Sequence, residues 1–161
     1  MMGLLDRVSR TAWLVLIAAL VGLLVWQGLV WRADAQAEDR RTEAVEVAKQ
    51  QVLDLTTLDS DDVGPKLKAM AGRTTGQFKN QVNDIAAQFV QIVQEKKVDA
   101  TGTVDAAAVT SASDRDATVL VASTAVIREK AGKPTTRTYR IRVKLTRNDA
   151  DWKINGMEFV Q

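Results

Sequence analysis

The stretch "TRTYRIRVKLTR" (Thr136–Arg147) alternates without a break. Tyr139, Ile141, Val143 and Leu145 fall on one side of it; Arg140, Arg142 and Lys144 fall on the other. A period of two with one apolar side marks an extended strand that covers a core with one face and meets water with the other. Three neighbours share the texture: "GTVDAAAVTSA" (Gly102–Ala112), "ATVLVASTAVIRE" (Ala117–Glu129) and "DWKINGMEFV" (Asp151–Val160). The links between the strands, "SDRD", "KAGKP" and "NDAD", are turn-rich and of hairpin length. Four strands over about 102–160 joined this way fold most simply as an antiparallel meander. Trp152, opening the last strand, is expected in the core.

A sheet with one apolar face needs a cover. Upstream, Val45, Ala48, Val52 and Leu55 recur at helical steps, which predicts a helix over 38–58. Phe78, Val82, Ile85, Phe89 and Ile92 step four, three, four, three, which predicts a second helix over 75–96 with this stripe as its core face. Thr74 or Thr75 is placed to cap its start, and Lys96 and Lys97 suit the negative end of its dipole. Between the two helices, "DSDDVGPKLKAM" (Asp59–Met70) reads as capping and a turn before Pro65. A calcium loop would require further spaced oxygen ligands, with a Glu after the Gly. The expected fold is α+β, with helices first, packed on a curved four-stranded antiparallel sheet.

The N-terminal run "TAWLVLIAALVGLLVWQGLVW" (Thr11–Trp31) has a different character. A bilayer core of about 30 Å is crossed by roughly 20 apolar helical residues. This run meets that length with tryptophans toward both ends and no polar stripe. A cleaved signal has a shorter apolar region, so an uncleaved anchor is the reading, although "ADAQA" (Ala33–Ala37) offers small residues suited to cleavage. Arginines flank both ends, and the charge count does not orient the span. The short basic tail before a long apolar run resembles an export signal, which places residues 1–10 in the cytoplasm, 11–31 in the inner (plasma) membrane as a single pass, and 32–161 outside as one domain. The helix over 38–58 then continues the span, because no Pro or Gly interrupts Trp31–Leu58.

The chain has no His and no Cys. It therefore lacks the side chain that titrates near neutrality and the soft metal ligands, which removes triads, thiol chemistry and zinc hydrolysis. The pairs Asp114 with Asp116 and Asp149 with Asp151 fall in expected turns. "GPKLKAMAG" lacks the ending of a phosphate loop, and "GRTTG" (Gly72–Gly76) reads as a turn and helix start. No catalytic residue, metal site or cofactor is expected, and an enzyme is not. The net charge of +2 gives no footprint for nucleic acid.

Candidate partner contacts remain. In the span, Ala18 and Gly22 form a small-xxx-small pair that lets another helix approach closely. On the sheet, Arg140, Arg142 and Lys144 form a basic stripe, either a face for an acidic partner or headgroup or simply a solvated strand face. Small residues in "DAAAV" and "ASTAV" leave room for a pocket between helices and sheet.

The layout as a whole is familiar: a short tail, one span, a helix following it, the helix start "TTGQFKNQV" (Thr74–Val82), four strands, and the close "DWKINGMEFV". With "TGQF" at Thr75–Phe78 and Trp152, Lys153, Ile154 and Val160 in the last strand, it resembles the actinobacterial Mce-associated membrane proteins. The resemblance implies an exported domain of NTF2-like or cystatin-like type and a non-enzymatic accessory role beside Mce systems, the ATP-driven lipid importers of mycobacteria and their relatives. It carries no catalytic residues. The expected partners are the lipid bilayer and Mce transporter subunits or other membrane proteins; a lipid is the further candidate that a pocket between helices and sheet would hold. A VirB8-like secretion-channel subunit shares the span-plus-domain plan and stands as the alternative, as does a membrane-tethered lipid-binding domain.

Overall fold

The computed structural model of the chain describes residues 36–129, 132–149 and 151–160. The tail, the span expected at 11–31 and its Ala18 and Gly22 lie outside the described residues. Among the described residues no helix is long and apolar enough to cross a membrane.

Helix α1 covers residues 36–56. Its fully buried apolar positions are Ala44, Ala48 and Val52, at steps of four. Two alanines in that row let the helix lie close on the sheet, while Val45 and Leu55, expected in the stripe, are half-buried at its sides. The helix stops at Thr56, whose Oγ1 donates back to the Val52 carbonyl at 2.8 Å. Leu58 then exchanges both backbone hydrogen bonds with Ala100, at 2.9 and 2.8 Å, so the chain leaves α1 by clipping onto a strand edge.

A short helix, α2 (Val63–Gly72), stands where a turn was expected. Pro65 does not prevent it, because a proline in the first turn removes an N–H that has no partner inside the helix. Val63, Leu67 and Met70 supply a short apolar row, and Val63 and Met70 are buried. The turn chemistry survives just before it, with the Asp59 carboxylate accepting from the Asp61 N–H at 2.9 Å.

Helix α3 (Gly76–Lys96) follows after three residues. Thr75 stands at its N-cap, but with no side-chain capping hydrogen bond. Thr74 Oγ1 donates to the Ala71 carbonyl at 2.7 Å, closing α2, and Thr75 Oγ1 accepts from Asn148 Nδ2 at 3.3 Å. The backbone of Arg73–Thr75 runs beside the last strand, with Ile154 N–H donating to Arg73 at 2.8 Å and Thr75 N–H to Ile154 at 2.9 Å. This pairing covers a strand edge that would otherwise be open. The Arg73 side chain holds the junction to α1, donating to Gln51 Oε1 at 3.1 Å and pairing with Asp54. The "GRTTG" arginine is thus occupied by the fold. α3 ends on Lys97 in the left-handed conformation, φ 48°, with Val98 N–H returning to Val93 at 3.0 Å.

The four strands are β1 (Asp99–Ala112), β2 (Asp116–Arg128), β3 (Thr135–Asn148) and β4 (Asp151–Phe159), in the order β1-β2-β3-β4 and antiparallel throughout. The meander is the one the alternation predicts, with its first strand opening at Asp99. Register shifts between Val104 and Ala106 and between Val109 and Ser111 bulge β1, and such bulges bend a strand and add twist. The core is the inner face of β2 to β4 against α1: Val119 and Val121, Ile141, Val143 and Leu145, and Trp152 with Ile154. One member of each Asp pair stands in a turn as expected, Asp114 and Asp149, while Asp116 and Asp151 open β2 and β4. Asp114 is exposed and paired with Arg40 at 2.9 Å, and Asp149 takes the left-handed conformation, φ 55°, between β3 and β4.

Candidate functional site

The apolar stripe of α3 does not sit in the core. The one buried residue of α3 is Val93, which is not in the stripe; Phe78, Val82 and Phe89 are half-buried, and Ile85 and Ile92 are 60% and 43% exposed. The reason lies in the packing: α1 already occupies the sheet's inner face, so α3 leans on α2 and β4 instead. Its apolar row faces the sheet only across a gap, and that gap is a cleft.

That cleft has two adjoining lobes, of about 210 Å³ and 240 Å³, which share Leu55, Phe89 and Phe159. The first runs over Ala100, Ala125 and Ile127 toward Tyr139; the second lies under Phe78, Val82 and Ile85, against Ile141 and Met157. Among the described residues no charged side chain lines either lobe, and the polar lining comes from Gln51, Thr56 and Tyr139. Gln51 is buried and already accepts from Arg73, so the surface offers apolar contact rather than chemistry. Small residues do make the room, as "ASTAV" suggests through Ala125, but "DAAAV" does not: Asp105, Ala106 and Ala108 are exposed on β1.

Phe159 and Met157 reach the cleft through an irregularity in β4. Leu145 pairs with Ile154 and Lys144 with Gly156, so Asn155 is an extra residue. After it, Val143 faces Met157 and Ile141 faces Phe159, which keeps both on the side of Trp152 and Ile154. Phe159 lies against Tyr139, ring centroids 5.9 Å apart at 58°, yet remains 69% exposed at the cleft's edge.

The same shift turns Glu158 outward, opposite Arg142. Arg142 Nη1 lies 3.1 Å from Glu158 Oε2, and Lys144 Nζ pairs with the other carboxylate oxygen. The basic stripe is therefore partly neutralised on its own sheet; Arg140, Arg142 and Lys144 are exposed on the outer face. The Lys144 hydrogen bond and charge, with Arg142 behind them, hold the Glu158 carboxyl below its ordinary value. A depressed carboxyl contributes stability that is present above its unfolded pKa and lost as pH falls through the folded one. Glu158→Gln is expected to lower the melting temperature slightly near neutral pH, as exposed pairs do. Melts at descending pH should show the two proteins converging once Glu158 is protonated; a gap that widens in acid contradicts the pairing. Among the described residues no three His, Cys, Asp or Glu are grouped to hold a metal.

Among solved structures, the fold matches the periplasmic fragment of TraM at 15% identity and TM-score 0.60, over 73% of this chain and 95% of that one. It matches the periplasmic domain of DotI at 16% and 0.61, over 72% and 91%, and VirB8 of Agrobacterium tumefaciens at 7% and 0.55, over 71% and 88%. Identities this low establish shared architecture alone: an α+β fold with three helices and a four-stranded antiparallel open sheet. By sequence, the chain is 32% identical to the uncharacterized protein Rv1363c of Mycobacterium tuberculosis (strain ATCC 25618 / H37Rv), over 97% of this chain and 60% of that protein. It thus spans somewhat under two thirds of that relative. It is also 32% identical to the outer membrane protein Rv1973 of the same strain, over 85% of this chain and 84% of that protein. The family model described as "Uncharacterized protein Rv1363c/MT1408-like" matches residues 5–161, and the chain belongs to that family.

Proposed function

We propose that this chain is a non-enzymatic accessory subunit of a membrane assembly in the cell envelope, anchored by residues 11–31 and working through the cleft beside α3. The observation that carries the reading is the cleft itself: an apolar recess, rimmed by exposed Ile85 and Phe159, with no charged side chain in its lining among the described residues. Exposed apolar surface of this kind marks a binding site rather than a reaction centre. Placement in the envelope is supported by the name of Rv1973 as an outer membrane protein and by the periplasmic origin of the TraM and DotI domains. An Mce-type lipid importer as the assembly rests on the sequence resemblance. The VirB8-like alternative draws on fold alone. In the span, Ala18 and Gly22 supply the close-packing face for a partner helix; the partly paired Arg140, Arg142 and Lys144 stripe is the weaker contact.

The test is recovery of the tagged full chain from native membranes in mild detergent. Mce subunits are expected to come with it, and Gly22→Leu, which fills the groove between helices, should reduce their recovery several-fold without altering the melt of the folded domain. Secretion-channel proteins in their place would favour the alternative. A chain that comes out alone defeats the accessory reading.

A further inference from the structure

The cleft has a charged mouth at one end. Ile127 lines its first lobe and also a neighbouring recess that holds Lys133, Arg137 and Glu129. The register fixes which way Arg137 lies: it pairs with Ala125, Thr135 pairs with Ile127, and Ala125 and Ile127 both line the lobe. Arg137 is therefore on the inner face of the sheet, in line with Tyr139 and Ile141, and not on the outer face with Arg140 and Arg142. It is exposed, and it forms no side-chain hydrogen bond or ion pair among the described residues. Among the described residues, Lys133 and Arg137 stand at the mouth with Glu129.

An uncharged groove leading to one uncommitted guanidinium describes an amphiphile in negative. We infer that the cleft binds a single-chain anionic amphiphile such as a fatty acid, its alkyl chain between α3 and the sheet and its carboxylate at Arg137. The inference rests on the cleft being the working surface of the domain and names what it holds. The two lobes together have the size of a small-ligand site, about 300–1,000 Å³. A lining without charges suits an alkyl chain, which brings no polar group to satisfy. Guanidinium matches carboxylate geometry, so the mouth selects the acid over an alcohol of equal length.

The experiment uses the full chain in nanodiscs of zwitterionic lipid, a 16-carbon fatty acid bearing a photoreactive diazirine on its chain, and peptide mapping of the adducts. Adducts are expected on peptides carrying Phe89 and Tyr139, suppressed by excess palmitate and about tenfold less effectively by hexadecanol. Arg137→Glu should reduce cleft labelling about tenfold at an unchanged melting temperature, whereas Arg142→Glu on the outer face should not. Adducts confined to residues 11–31 overturn the site, and if membrane partners are still recovered with the chain they overturn it without touching the accessory role. Cleft adducts that acid and alcohol suppress equally, and that survive Arg137→Glu, overturn the anionic assignment and leave the cleft as the working surface.

Discussion

Trp152→Ala is expected to destabilise the folded domain by about 3–5 kcal/mol, the usual loss for emptying a buried aromatic site. The ring is 4% exposed and belongs to the cluster that α1 forms with β2 and β3, so its removal opens a cavity at the centre of the fold. Against a typical total of about 5–15 kcal/mol, that loss leaves the variant close to unfolding at growth temperature. Trp152 also carries a cost of its own, since its indole N–H is buried with no hydrogen-bond partner among the described residues. A buried donor left unpaired costs about 1–3 kcal/mol, so Trp152→Phe, which gives up volume but removes that donor, should lose clearly less than Trp152→Ala. Equilibrium denaturation of the three proteins decides it. Equal losses for Phe and Ala would mean the N–H is satisfied, and no loss for Ala would place the ring outside the core.

Gly102→Ala should cost about 3 kcal/mol, the upper part of the overpacking range, and Gly102→Val more. At this point β1 passes so close to the end of α1 that a Cβ would fall 2.6 Å from Thr56 Cβ and 2.9 Å from its backbone carbonyl carbon. The approach is held by the Leu58–Ala100 backbone pair beside it and by the Gly102 N–H donating to Thr57 Oγ1 at 3.2 Å. Because the backbone itself is in the way, Thr56→Ala should not rescue Gly102→Ala. Thermal melts of the single and double variants test this; a double variant that recovers wild-type stability would show that only the Thr56 hydroxyl stood in the way.

Strand alternation carried the architecture. The pattern of β3 needs no tertiary knowledge, because Ile141, Val143 and Leu145 are buried for the same reason they alternate, and the short polar links leave few ways to connect four strands. The candidate site was much harder to see. The α3 stripe looks like a core face because periodicity reports that a helix has an apolar side and not what covers that side. Here α1, with its alanines, has taken the sheet. In β4, strict alternation from Trp152 through Ile154 would carry Glu158 inward and leave Phe159 outside. The extra residue at Asn155 reverses both, which builds the edge of the cleft and partly neutralises the basic stripe in one step. "NG" at Asn155 and Gly156 is the sequence trace of that bulge, easily passed over in a strand. Helix α2 was hidden by Pro65, whose place in the first turn is the one that a helix tolerates.

The central claim is that the uncovered side of α3 meets a partner, and site-specific photocrosslinking in living cells addresses it most directly. A photoreactive residue at Ile92, 43% exposed on the apolar row and outside the cleft's lining, is compared with one at Arg142 on the outer sheet face. The expected result is a discrete adduct with an envelope membrane protein from position 92, and little or none from position 142. Adducts of equal yield from both positions, or from 142 alone, would contradict the claim.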